Sequence, residues 1–217
     1  MRAEKQHSQV RQEQIARAAM TLIAGQGMKG LSVASVARRV GLVPSALYRH
    51  FKGKEEILEA TAGLVRGLLM ENVRAVRRES RLPLEQLRLL LMRHIQMVQE
   101  FQAIPRIIFS DEILSARPQR RTVIFKIIQE FLGQVADIVT QGKRLGQINP
   151  GLNPETVAVM FLGLVQPPVA LWVLSNGKFE VTKHTEKAWR IFRSAIQTQN
   201  SQTESRKKRP SKGPKNK

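Results

Sequence analysis

The chain has 217 residues, 42% of them hydrophobic, which is enough for a buried core and excludes wholesale disorder. Its 36 Lys and Arg against 17 Asp and Glu give a formal charge of +19, which points to an anionic partner, nucleic acid or acidic lipid headgroups. The absence of cysteine excludes disulfides, zinc–cysteine sites and thiol chemistry, and it fits a reducing, cytoplasmic setting.

Gly, Pro and charge runs divide the sequence into helical blocks, with no sustained two-residue alternation to suggest strands and no internal repeat. Residues 1–14 carry no apolar run of the kind a signal peptide needs. The first helix is expected over residues 9–25, with Ile15, Ala19, Leu22 and Ile23 at helical spacing and Gly25 and Gly27 ending it. Ser32 is a good N-cap for a second helix whose Val33, Val36, Ala37 and Val40 share a face, and Gly41 stops it. Pro44 suits the first position of a short third helix that continues to Phe51. A fourth helix follows Gly53 to about Ser80, with Glu55 and Glu56 in its first turn, where negative charge suits the helix dipole.

Further helices are expected over residues 83–101, 104–114, 118–145, 154–174 and 182–197, making about nine and no sheet. The stretch 157–174 approaches the length of a membrane span, but Gln166 and Pro167-Pro168 interrupt it, so a protein-covered helix is expected and no membrane partner. The last helix is expected to bury Trp189, Ile191, Phe192 and Ile196. The final 17 residues hold seven basic and one acidic residue and nothing apolar, so a disordered basic tail is expected over 201–217.

The second and third helices and the tight turn between them, SVASVARRV, GLV and PSALYRHF, have the sequence shape of a helix-turn-helix. Ala34 and Ala37 supply small residues where two helices cross, and Gly41 supplies a residue tolerant of positive φ. Leu47 and Phe51, four apart, anchor the second helix. Ser45, Tyr48, Arg49 and His50 offer donors on its remaining face. The four histidines share no metal-ligand spacing, and no HExxH, phosphate-loop, GxSxG or dinucleotide glycine pattern occurs, so neither a metal, a cofactor nor an enzyme is expected.

The run LSVASVARRVGLVPSALYRHFKGKEEILEA resembles the DNA-binding region of the TetR family of bacterial transcriptional regulators. Val43 and Ser45-Ala46 depart from the family pattern, which often has Ser or Thr capping the recognition helix and Gly-Thr before Leu-Tyr. The resemblance implies an all-α chain with a helix-turn-helix domain over 1–53 and a helical ligand-binding and dimerisation domain over 54–200. It implies that Tyr48, His50, Ser32 and Lys54 meet phosphates of double-stranded DNA. Arg38, Arg39 and Lys52 are nearby electrostatic candidates, and the same resemblance implies that Ser45, Ala46 and Arg49 are the residues to face the bases.

Residues 118–145 and 154–174 are too apolar to face water and suit a homodimer contact, although ordinary core packing accounts for the same pattern. The resemblance also implies a small-molecule site among the middle helices. Met92, Met97, Phe101, Ile108, Phe109 and Met160 are candidate lining residues, although residues of these types are more often plain core. The expected function is a repressor that holds a palindromic operator as a homodimer and is released by an apolar small molecule. The alternative is a nucleoid or constitutive DNA-binding protein of the same shape that senses no ligand.

Overall fold

The computed structural model describes residues 2–108 and 118–198, with side chains over 10–107 and 120–198. Among the described residues there are ten α-helices and no strand. The expected disorder of the basic tail lies outside them.

Helix α1 (Arg2–Gln26) buries Ile15, Ala19, Leu22 and Ile23 as its spacing requires. It begins upstream of the expected start, in a polar segment whose helicity no apolar stripe signals. A short 3₁₀ turn, Met28–Gly30, leads to α2 (Val33–Arg39), and α3 (Pro44–Leu47) follows. α4 (Lys54–Glu79) packs on α1 at its start and runs on into the second half of the molecule, where it lies against α5 (Pro83–Glu100). α6 (Ala103–Ile108) touches both α1 and α5.

α7 (Pro118–Arg144) packs on α4 and α5 and buries Ile127, Phe131, Val135, Ile138 and Val139. Near its C-terminus a Cβ on Gly142 would lie 2.6 Å from Ile148 Cδ1, so only glycine lets the returning chain approach this closely. Ile148 then pairs with Gln197 in an isolated antiparallel bridge.

The apolar stretch expected as one helix is two: α8 (Pro154–Gly163) and α9 (Gln166–Leu174). Pro167 and Pro168 have no N–H for the carbonyls of Gly163 and Leu164, so the chain restarts with both prolines in a first turn, where no donor is needed. Helix α10 (Val181–Ile196) buries Val181, Thr185, Trp189, Phe192 and Ile196. Ile191 does not join them: it is 74% exposed, because a position one before Phe192 falls about 100° off the buried stripe.

Candidate nucleic-acid interface and sensor cavity

The reading head is built from the caps inward. Ser32 Oγ accepts from the Ser35 N–H at 3.0 Å, and Ser35 Oγ accepts from the Ser32 N–H at 2.9 Å. This reciprocal capping box fixes where α2 starts. At its other end Leu42 N–H donates to Ala37 C=O and Gly41 N–H to Arg38 C=O, with Gly41 at φ +70°. That is a Schellman closure, and it turns the chain sharply towards α3. Val36 and Ala37 are buried under the turn, whereas Ala34 is exposed and takes no part in the helix crossing.

α3 starts at Val43 with no side-chain cap and with Pro44 in its first turn. Helical turns continue past Leu47, with Arg49, His50 and Phe51 N–H groups donating to Ala46, Leu47 and Leu47. Leu47 and Phe51 are buried and hold this short element to the core. Ser45, Tyr48 and Arg49 are therefore turned outward, and Ala46 and His50 are partly covered. Tyr48 is 56% exposed and Val43 63%, so both side chains are open on this face.

The remaining expected contacts surround this face. Ser32, Arg38 and Arg39 are exposed on α2. Lys52 is exposed beside Glu56, at 3.8 Å, and its backbone N–H donates to Glu56 Oε2 at 2.8 Å. Lys54 is half-buried and its ammonium donates to the Met28 carbonyl at 3.1 Å, so the side chain ties α4 to the 3₁₀ turn.

Ion pairs join α4 to α7 along its length. Arg120, whose side chain is only 15% exposed, donates through Nε to Glu55 Oε2 at 2.9 Å, one residue after Lys54. Arg66 meets Glu130 at 2.6 Å and holds its carboxyl below the usual range, chiefly through their hydrogen bond. Arg77 lies 3.9 Å from Asp137. The Arg66 and Arg77 pairs, being more exposed, add little stability. The three pairs, Glu55–Arg120, Arg66–Glu130 and Arg77–Asp137, mark how α4 lies along α7.

Between these helices lies an apolar cavity of about 80 Å³. α4 contributes Ala62, Val65 and Leu69; α5 contributes His94, Met97 and Val98. Ile104 and Ile107 of α6, Ile127 and Phe131 of α7, and Val165 and Val169 close it. His94 and Gln166 are its polar side chains. His94 stands edge-on to Phe131, with ring centroids 5.2 Å apart, and burial pushes its pKa down to about 4.

Of the residues expected in this site, Met97 lines the cavity. Met92, Phe101 and Met160 do not. Met92 points away from the α5 face that carries His94 and Met97; Phe101 lies under the Arg17 guanidinium, 5.9 Å from its ring; Met160 is on the exposed side of α8. Phe109 and the side chain of Ile108 lie outside the described residues. His94 was missed because a lone histidine carries no motif. Its available signal was its position three before Met97, on the apolar face of α5.

A capped helix, a glycine-closed turn and a short helix with a polar outer face define a helix-turn-helix DNA-binding regulator. The profile of bacterial regulatory proteins of the tetR family matches residues 15–61, and that of the C-terminal region of YsiA-like proteins matches residues 65–195. The chain belongs to the TetR family of transcriptional regulators. The fatty acid metabolism regulator protein of Bacillus subtilis (strain 168) is 25% identical over 183 residues, 84% of this chain and 94% of that protein. The nucleoid occlusion factor SlmA of Vibrio vulnificus (strain YJ016) is 26% identical over 188 residues, 86% of this chain and 95% of that one. Among solved structures, the regulator FadR from Bacillus subtilis in complex with stearoyl-CoA aligns with a TM-score of 0.74 at 24% identity, covering 85% of this chain and 98% of that one.

Proposed function

We propose that the protein is a cytoplasmic repressor that binds a palindromic operator as a homodimer and releases it when an apolar small molecule enters the cavity. Residues 1–53 read DNA, 54–200 dimerise and sense, and 201–217 add general electrostatic attraction. Tyr48, His50 and Ser32 meet phosphates with Arg38, Arg39 and Lys52 nearby, and Ser45, Ala46 and Arg49 face base edges. Lys54 acts from the first turn of α4, holding that turn to the head through Met28.

The observation that carries this reading is the double role of α4. Its Ala62, Val65 and Leu69 wall the cavity, and its first turn is bound to the head at Met28 and to α7 at Arg120. At about 80 Å³ the cavity is far smaller than the roughly 300–1,000 Å³ of typical ligand pockets. A ligand of more than a few heavy atoms seated wholly inside therefore parts α4 from α6 and α7. Moving α4 changes the separation of the two heads in a dimer, which must match half-sites about 34–36 Å apart or a multiple of it.

The dimer face is α7 with α8 and α9. Phe125, Val159, Met160, Leu171 and Leu174 are exposed there, and only 33% of the apolar window within Pro154–Leu174 is buried within one chain. A second copy related by a two-fold axis covers this surface without needing a lipid. The relatives that regulate fatty acid metabolism or hold stearoyl-CoA favour an acyl-chain effector. Titrating stearoyl-CoA into the protein–operator complex, followed by fluorescence anisotropy, should weaken DNA binding by about 5- to 150-fold.

The similarity to a nucleoid occlusion factor favours a second reading, DNA binding without a small-molecule signal. Under it, operator affinity stays constant across acyl-CoA chain lengths.

A further inference from the structure

The cavity wall has an unusual polar atom. His94 is buried, and its Nδ1 has no hydrogen-bond partner among the described residues. Buried nitrogens without a partner are rare in native proteins, because dehydration costs free energy that nothing returns. The surroundings offer no remedy. Phe131 presents its ring, and the neighbouring Met97 sulfur already receives the Asn72 amide at 3.8 Å. The cavity is walled mostly by aliphatic side chains, with Gln166 as the other polar group among the described residues. Among the described residues no Asp, Glu, Lys or Arg lines it.

These facts constrain what can sit there. A charged group would be buried without a counter-charge, which is prohibitive. A pure hydrocarbon would leave Nδ1 unpaired. Nδ1 is itself buried, so an effector reaches it only by parting the wall or turning the ring; a neutral carbonyl or hydroxyl that does so completes the site, because a neutral imidazole can donate from one ring nitrogen and accept at the other. Burial keeps the ring neutral at physiological pH, so the contact is between uncharged groups.

We propose that His94 is the specificity-determining residue of the cavity and pairs with a neutral carbonyl or hydroxyl on an otherwise apolar effector. The charged part of such an effector, if it has one, stays outside the cavity. This rests on the reading of the cavity as the effector site.

The test uses the full-length protein and four nine-carbon probes: 2-nonanone, 1-nonanol, nonane and nonanoate. Affinities are measured by competition against a bound apolar fluorophore, in wild type and in His94→Phe, which keeps the ring volume against Phe131. The ketone-to-nonane and alcohol-to-nonane affinity ratios should fall at least tenfold in the variant, with nonane itself within about twofold. Nonanoate should bind more weakly than the alcohol. His94→Leu serves if the phenylalanine variant does not fold, and His94→Gln should restore part of the ratio. Ratios unchanged in the folded variants overturn the proposal, as does a change on Gln166→Leu that His94→Phe does not reproduce. Failure of all four probes to bind overturns the cavity reading beneath it.

Discussion

Acid should weaken this protein through His94 before most carboxylates are protonated. In the native chain the buried ring has its pKa pushed down to about 4, against 6.5 for an ordinary histidine. Above pH 6.5 the ring is neutral in both native and unfolded chains, so it adds no pH dependence. As the pH falls from 6.5 towards 4, the unfolded chain takes up a proton that the native chain refuses, and stability drops. Below about 4 both forms are protonated and the loss levels off. The gap corresponds to a total of about 3 kcal/mol, an order-of-magnitude figure. Urea unfolding of wild type and His94→Phe across this range measures it. Glu71, Glu85 and Glu130, held low by their arginine partners, also lose stability in acid, but they do so in both proteins. The difference between the two proteins isolates the histidine: the variant should gain on wild type by about 3 kcal/mol between roughly pH 7 and pH 4. Parallel stability curves would refute the burial argument.

Three more outcomes are expected. Val43→Ser supplies the side-chain cap that α3 lacks and should raise stability by about 1 kcal/mol in thermal or urea unfolding. Tyr48→Phe should weaken DNA binding across all sequences, while Arg49→Ala should relax preference at one position per half-site, about 1–3 kcal/mol against the wrong base in a competition assay. Deleting residues 201–217 removes seven basic residues and should flatten the dependence of DNA affinity on salt while leaving the preferred site intact.

The helical frame was legible because apolar spacing, caps and breakers carry it. Ser32, Gly41 and Pro44 mark the boundaries of α2 and α3, and Ile127, Phe131, Val135 and Ile138 form a stripe that can only be a buried helix face. The break between α8 and α9 was also written in Pro167-Pro168, but the surrounding apolar run concealed it. What spacing could not supply is the rotation of each helix about its axis. Ala34, Met92, Met160 and Ile191 are of the right residue type and sit on the wrong side of their helices. Long-range pairs were equally hidden: nothing local links Glu55 to Arg120 or Lys54 to the Met28 carbonyl. The face proposed to meet DNA was the more legible half of the candidate site, since Leu47 and Phe51 fix the inward side and leave Ser45, Tyr48 and Arg49 outward. The cavity was the less legible half, because it forms from residues on at least four helices and its one unusual atom belongs to an isolated histidine.

The charge of +19 by itself predicts attraction to any polyanion; the proposal gives the choice of site to the exposed face of α3. Selection of binding sequences from a random duplex library by the purified full-length protein, at physiological salt, tests that assignment most directly. The account predicts enrichment of a two-fold symmetric sequence with half-sites one helical turn apart or a multiple of it, lost in an Arg49→Ala, Tyr48→Ala double variant. Salt-sensitive binding that enriches no sequence, or enrichment that survives the double variant unchanged, would contradict it.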